Sequence, residues 1–198
     1  MYYFLLSRTD FKTIMASIWI AISLGLLVFI IMLFKYVWHA NSGDHIGYLA
    51  SNLKNVGPAL ERIIEKYYKG KVENVNLVES GAGFANLSNY LSKKYNWKEI
   101  IAVEDEPRII KLAQFKQRFR KSKINFVQSN VLDFQNPESS LVYCYLLSTI
   151  LTKMNAKKLF NNCLLVSLSF KIKDLEPTET IEIPGFQKYI FVYDFRKN

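Results

Sequence analysis

The stretch that decides the fold is residues 75–86, VNLVESGAGFAN, in which an apolar run gives way to Glu79 and then to Gly81 and Gly83. The apolar run has the composition of a buried strand. Glycines directly after a strand let the backbone turn sharply and approach a ligand closely. Because ligands of open α/β sheets bind beyond the carboxyl ends of the strands, this turn is the first candidate binding site.

The chain beyond residue 70 alternates between strand-like and helix-like segments. Strands are predicted at residues 72–78, 99–104, 123–128, 140–145 and 163–170, and helices at residues 84–95, 107–121 and 147–160. Continuous apolar strands that alternate with helices predict an α/β fold, a mostly parallel sheet with helices on both faces. Two further strands, at residues 179–183 and 188–195, flank Pro184-Gly185, which predicts an antiparallel C-terminal hairpin.

The N-terminal part of the chain has the composition of a transmembrane helix. Residues 13–34, TIMASIWIAISLGLLVFIIMLF, form a run of 22 residues without a charge, and about 20 apolar residues span a bilayer core. Lysines flank the run, and Tyr36 and Trp38 follow it as interfacial aromatic residues often do. A core helix and a cleavable signal peptide are less favoured, because the run is apolar on every side and no small-x-small site follows it. We predict one uncleaved anchor over residues 13–38, whose orientation the nearly balanced flanking charges do not set.

The rest of the chain divides around this anchor. Residues 1–12 form a short N-terminal tail, and residues 39–70 form a linker with a leading helix over residues 45–69, where apolar residues recur at helical spacing. The α/β domain is predicted to occupy residues 71–198.

The composition favours a packed domain with an anionic partner. Half of the 198 residues are hydrophobic, and the net charge of +9 favours either membrane lipid or nucleic acid. The two cysteines, Cys144 and Cys163, lie in apolar stretches and far in sequence from both histidines. We therefore predict buried thiols, with neither a disulfide framework nor a metal site.

Two carboxylates discriminate between the ligands that the glycine turn could bind. A dinucleotide-binding turn reads Gly-x-Gly-x-x-Gly, with an acidic residue roughly 20 positions further on for the ribose. Here Glu104 ends the second predicted strand, but Asn86 replaces the third glycine. Glu79, two residues before the first glycine, would repel a pyrophosphate and suits a cationic ligand instead.

The turn resembles motif I of the class I S-adenosylmethionine-dependent methyltransferases, acidic-x-Gly-x-Gly, and the resemblance implies a Rossmann-like class I methyltransferase sheet. The cofactor implied is S-adenosylmethionine, which carries a sulfonium, an ammonium and a ribose. Glu104 would bind the ribose and Asn130, where an aspartate is frequent, would lie near the adenine amino group. The cofactor-binding set implied by the resemblance is Glu79, Ser80, Gly81, Ala82, Gly83, Glu104, Asp105, Asn130 and Val131.

A closer resemblance covers the fourth and fifth strands. SLVYCYLLSTIL (140–151) and VSLSFKIKDLEPTETIEI (166–183) are similar to segments of the membrane-anchored lysine methyltransferases that modify the ATP synthase c subunit or the adenine nucleotide translocase, and of their bacterial relatives. Those proteins also carry one N-terminal hydrophobic segment. The resemblance implies N-methylation of a lysine in a membrane-associated protein, with Tyr145 and Ser148 as candidates to orient the acceptor nitrogen. Ser148 stands where the family has a proline, and Phe84-Ala85 stands where it has Asp-Gly.

Other functions remain open. The same fold could methylate a phospholipid amine or a quinone precursor, or could bind a nucleotide as a scaffold without catalysis. The basic stretch KLAQFKQRFRKSK, residues 111–123, could be a solvated helix face or could attract anionic lipid headgroups, and we expect no nucleic-acid partner. Since S-adenosylmethionine is cytosolic, the resemblance implies a single-pass membrane protein with its catalytic domain in the cytoplasm or in the mitochondrial matrix.

Overall fold

The computed structural model describes residues 8–41, 50–120 and 123–196, and the chain forms two compact units that divide between residues 48 and 49. The helices are α1 (Arg8–Asn41), α2 (Leu53–Tyr68), α3 (Asn86–Ser92), α4 (Pro107–Gln117) and α5 (Ser148–Ala156). The strands are β1 (Asn76–Ser80), β2 (Glu99–Glu104), β3 (Asn125–Gln128), β4 (Ser140–Cys144), β5 (Cys163–Leu168), β6 (Glu179–Glu182) and β7 (Tyr189–Asp194).

The described part of the first unit is α1. Its segment Thr13–Leu33 has a mean hydropathy of 2.7. The segment is long and apolar enough to cross a membrane, a property that it shares with signal sequences. Residues 1–7 and 42–49, which include parts of the predicted tail and linker, lie outside the described residues.

The second unit contains one seven-stranded sheet with the order β3-β2-β1-β4-β5-β7-β6. The first five of these strands pair in parallel, whereas β7 runs antiparallel to both β5 and β6. The mostly parallel sheet with an antiparallel C-terminal hairpin, as predicted, is therefore confirmed. The strand order reverses between β1 and β4, which is where open α/β sheets bind their ligands.

Each face of the sheet has its own hydrophobic core, since successive side chains of a strand point to opposite faces. On one face Leu77 and Tyr143 pack with buried residues of α2 and α3. On the other face Val78 and Cys144 pack with buried residues of α5. Helices therefore cover both faces, as the continuous apolar strands predicted.

Helix α2 packs with the sheet unit. The side chain of Asn52 accepts a hydrogen bond from the amide of Lys54 and caps the N-terminus, and Lys69 ends the helix in a left-handed conformation. An amphipathic pattern buries one face, including Leu60 and Ile63. Gly57 lies so close to Tyr90 of α3 that a Cβ there would be 2.8 Å from the tyrosine ring. The two helices are thus in close contact at this glycine.

Some boundaries differ from those predicted. The first strand was expected over residues 72–78 but begins at Asn76, because Val72 and Val75 form a turn in which the amide of Val75 bonds the carbonyl of Val72. Both valines are buried, so their apolar character reflects burial of a turn. The helix after the glycines begins at Asn86, two residues later than predicted, since Ala85 adopts a left-handed φ of 50°.

Both cysteines are buried, as predicted. Burial raises the pKa of Cys144 to about 12. A thiol with such a pKa stays protonated and unreactive near neutral pH.

Candidate functional site

The glycine turn folds back onto the end of β2. The amides of Gly81 and Ala82 both donate to the carbonyl of Val103, each at 2.9 Å. Gly81 has a φ of +72° and Gly83 a φ of +54°, a region that side-chain-bearing residues rarely adopt. A Cβ on Gly81 would lie 3.0 Å from Cδ2 of Leu146, which follows β4. The turn therefore requires glycine both for its backbone conformation and for its approach to the β4 end.

Glu104 fixes the second half of the same turn. Its Oε2 accepts from the Gly83 amide at 2.8 Å, and its Oε1 accepts from the amides of Asp105 and Glu106, each at 3.1 Å. Burial raises the pKa of this carboxyl group, whereas the backbone donors of Glu106 and Gly83 lower it and the neighbouring Asp105 raises it further. The sequence predicted that Glu104 binds the ribose hydroxyls, and the structure adds that its two carboxylate oxygens accept three backbone hydrogen bonds.

Glu79 lies buried at the end of β1, beneath the turn. Its Oε2 accepts from the amide of Ser88 at 2.9 Å, so the carboxyl group satisfies a backbone donor in the first turn of α3. Burial raises its pKa to about 7, against the lowering effect of Ser88. This residue can therefore change its charge near neutral pH in response to a nearby cation.

The end of β3 joins the site through the backbone. The amide of Ser129 donates to the carbonyl of Glu104 at 3.0 Å. Asn130 is exposed, and its Oδ1 accepts from the amide of Leu132 at 2.9 Å, which forms an Asx turn. Val131, half-buried, follows it on this turn. Asn130 and Val131 thus lie at the same edge of the sheet as Glu104.

The ends of β4 and β5 meet on the other side of the switch point. The rings of Tyr145 and Phe170 stack with centroids 5.9 Å apart. The hydroxyl of Ser167 donates to the carbonyl of Phe170 at 2.7 Å and so holds the backbone of Phe170 in place. Ser148 begins α5, and its carbonyl accepts from the Thr152 hydroxyl at 2.8 Å. The ends of β4 and β5 therefore contact each other through an aromatic pair.

Three contacts of the site were not anticipated. Ser88, the partner of Glu79, occurs in an ordinary helical pattern, and no sequence signal marks it. Phe170 lies in the quoted fifth-strand segment but was not selected as a site residue. Ser51 contacts Tyr143 of β4, with 2.6 Å between the two hydroxyl oxygens, and connects the start of α2 to the centre of the sheet. Such long-range pairs depend on the fold and have no local signature.

Several solved structures with this fold are methyltransferases. An RNA methyltransferase from Salinibacter ruber, in complex with S-adenosyl-L-homocysteine, has a TM-score of 0.62 at 17% identity over 76% of this chain and 95% of that one. An rRNA methyltransferase from Streptomyces viridochromogenes has a TM-score of 0.57 at 10% identity, with 77% and 88% of the two chains covered. The ribosomal protein L11 methylase from Lactobacillus delbrueckii subsp. bulgaricus has a TM-score of 0.54 at 13% identity, over 74% of this chain and 80% of that one.

These similarities show that the sheet unit has the class I methyltransferase fold, as predicted. No protein-family model matches the sequence, and no curated protein is significantly similar to it. The expectation that no nucleic acid binds finds no support here, because two of the three proteins named above are RNA methyltransferases. At these identities the comparison concerns the fold alone.

Proposed function

We propose that this chain is an S-adenosylmethionine-dependent methyltransferase. The observation that carries the proposal is the hydrogen bond between the Gly83 amide and the Glu104 carboxylate, which joins the turn after β1 to the acidic end of β2 beside the switch point. This hydrogen bond sets the glycine turn beside the carboxylate that we propose binds the ribose. The class I methyltransferase fold of the sheet supports the same function.

The donors and acceptors of the site fit this cofactor. A carboxylate accepts about four hydrogen bonds, and Glu104 accepts three from the backbone. An acceptor position on Oε2 therefore remains for one ribose hydroxyl. Gly81 is exposed at the turn, where its missing side chain lets a ligand approach Ser80, Ala82 and the backbone. Asn130 and Val131 would contact the adenine.

The charges of the site fit a cationic cofactor. Glu79, Glu104 and Asp105 lie at the ends of adjacent strands β1 and β2, where a pyrophosphate would be repelled. When bound, S-adenosylmethionine supplies a methyl group activated by its sulfonium. The protein's contribution is to align an acceptor with that group and to exclude water, and such alignment can account for much of the lowered barrier.

The acceptor that we propose is a lysine of a membrane-associated protein. The half-buried Tyr145 ring stacks on Phe170, so the pair forms an apolar wall that disfavours a charged amine. The Tyr145 hydroxyl would orient the neutral nitrogen, and Ser148 would line the same pocket. Helix α1 would anchor the chain by a single span, with the sheet unit in the cytoplasm or matrix. A phospholipid or quinone-type acceptor and an inactive scaffold are the alternatives.

Methyl transfer tests this proposal. The full-length chain in nanodiscs is incubated with labelled S-adenosylmethionine and membranes from cells that lack the protein, and protein, lipid and RNA fractions are hydrolysed separately. We expect N-methyl-lysine in the protein fraction. Label in lipid or RNA would contradict the lysine assignment, and no label in any fraction would contradict the activity.

A matched variant tests the role of Tyr145. Tyr145→Phe keeps the ring and its stacking on Phe170 but removes the hydroxyl. We expect the rate of transfer to fall roughly fivefold, since a lost hydrogen bond costs on the order of 1 kcal/mol, with cofactor affinity unchanged. Unchanged kcat would limit Tyr145 to packing.

A further inference from the structure

The outer surface of α4 and of the turn that follows it carries a stripe of exposed apolar side chains. Ile110 and Ala113 are buried where the helix packs against β2 and β3. Leu112, Phe115 and Phe119 lie on the opposite side, with 54%, 57% and 78% of their surfaces exposed. Phe119 lies in the turn after α4, where its amide donates to the Lys116 carbonyl at 3.2 Å and continues the helical path. The spacing of three and four residues therefore places the three side chains on one face. Scattered exposed apolar residues are common, but a contiguous stripe marks an interaction surface.

Cations flank this stripe. Residues 107–120 contain five arginines and lysines and no acidic residue. Lys111 and Arg118 are exposed on one flank of the stripe, and Lys116 is exposed on the other. An apolar stripe between cations matches a bilayer surface with anionic headgroups, in which apolar side chains enter the headgroup boundary and the cations bind phosphates.

We propose that the stripe of Leu112, Phe115 and Phe119 with its flanking cations docks onto an anionic lipid bilayer. The complementarity of charge, together with a helix in the same chain that is apolar enough to span a membrane, selects lipid as the occupant. This inference does not depend on methyl transfer, and it holds for a scaffold of the same fold.

Nucleic acid fits this surface less well. Single-stranded nucleic acids bind aromatic rings on which successive bases can stack. Phe115 and Phe119 contact each other edge to face, with an interplanar angle of 75°, and they share their stripe with an aliphatic leucine. Such a surface offers bases no parallel platform, whereas its apolar area would be removed from water in a bilayer interface.

Docking at α4 would bring the candidate site to the membrane surface. The Lys116 ammonium lies 4.0 Å from the centroid of the Phe84 ring. Arg120 donates to the side chain of Asn86 at 3.2 Å. Phe84 and Asn86 come shortly after the glycine turn in the chain, so the loop after Gly83 would lie next to the docked helix. A docked domain would therefore reach acceptors near the bilayer surface.

The test uses full-length protein in nanodiscs with a spin label at Leu112→Cys. Because the native thiols are buried, labelling is selective. The nanodiscs contain phosphatidylcholine alone or phosphatidylcholine with phosphatidylserine, and collision with oxygen is compared with collision with a water-soluble nickel complex. A label at the exposed position Gln135→Cys is the matched control, since both labelled chains carry the same candidate span.

We expect the label at 112 to become accessible to oxygen and protected from nickel only with phosphatidylserine, while the label at 135 stays in water. Lys111→Gln with Arg118→Gln should lower the docking equilibrium constant about thirtyfold, because each cation near an anionic surface contributes roughly a factor of five. A label at 112 that stays in water with both lipids would overturn the proposal. So would insertion that is independent of phosphatidylserine, or protection by added RNA in place of lipid.

Discussion

At the scale of single residues, the candidate site depends on two buried carboxyl groups with different surroundings. Glu104 accepts three backbone hydrogen bonds and shapes the turn after β1. Glu79 accepts one backbone hydrogen bond, from the amide of Ser88, and burial raises the pKa of Glu79 to about 7. The Glu104 carboxylate is therefore held in place by backbone amides, while the Glu79 carboxyl group can change its protonation state near neutral pH.

The raised pKa of Glu79 makes a prediction about stability and pH. A folded-state pKa of about 7 against the ordinary value of 4.5 means that the folded state binds more protons between these two values. The free energy of unfolding should therefore fall as pH rises through this window, and level off above it. The loss attributable to Glu79 is on the order of 3 kcal/mol, from a pKa raised from 4.5 to about 7.

Glu79→Gln tests this prediction, because glutamine can still accept from the Ser88 amide but does not titrate. We expect urea unfolding, followed by fluorescence in detergent, to show a shallower dependence on pH for this variant than for the wild type between pH 4.5 and 7. Equal slopes for the two proteins would mean that Glu79 does not titrate in this range.

The sequence identified the types of residues in the site better than their partners. Glu79, Gly81, Gly83 and Glu104 were all selected from the order of strand, acid and glycines, and the fold brings them together. The three amides that occupy Glu104 could not be predicted, since they depend on the tertiary geometry of the turn. Ala85 shows the same limit, because only the structure reveals that it adopts a left-handed φ of 50°.

At the scale of elements, the close contact between α2 and α3 connects the segment that leads into the domain with the helix that follows the glycine turn. Gly57 of α2 lies directly against Tyr90 of α3, and the Tyr90 hydroxyl donates to Glu61. Lys94 also contacts Glu61, at 2.6 Å. The position of α3, and with it Ser88, therefore depends on a glycine in α2.

A pair of substitutions tests this contact. Gly57→Ala should lower the free energy of unfolding by about 1–3 kcal/mol, because overpacking forces neighbouring groups to move. In a Tyr90→Leu background the same substitution should stabilise by up to about 1 kcal/mol, since alanine is the better helix former. Chemical denaturation of the four proteins measures the cycle, and additive effects would contradict close packing at this site.

The elements themselves were predictable because their signals are local. Apolar runs such as residues 163–168 and the proline at position 107 mark β5 and the start of α4. The ends of the elements were less predictable. Helix α4, for example, was expected to end at residue 121 but ends at Gln117. The order of the strands follows from packing of helices on both faces, which no single segment encodes.

At the scale of the whole molecule, a chain with a net charge of +9 combines an apolar helix with a basic sheet unit. We predict that Thr13–Leu33 spans the membrane and remains uncleaved. Full-length chain should stay in the membrane pellet after an alkaline carbonate wash, and its mass should include the N-terminal helix.

A double substitution that introduces two charges into the candidate span tests this prediction. Leu24→Arg with Leu27→Arg should release the chain, because each arginine near a helix centre costs roughly 2.5–3.5 kcal/mol. Leu24→Ile with Leu27→Ile is the matched control and should be retained. A wild-type chain that lacks the helix after export, or that washes off, would identify a signal sequence or a peripheral helix instead.

Calorimetric titration of S-adenosylmethionine into the full-length chain tests the central claim most directly. Gly81→Ala places a Cβ 3.0 Å from Leu146 at a φ of +72°, and Gly70→Ala imposes a similar strain at a φ of +70° in the loop after α2. We predict saturable binding by the wild type and by Gly70→Ala, and loss of binding by Gly81→Ala. No binding by a folded wild type, or equal binding by all three proteins, would contradict a cofactor site at the glycine turn.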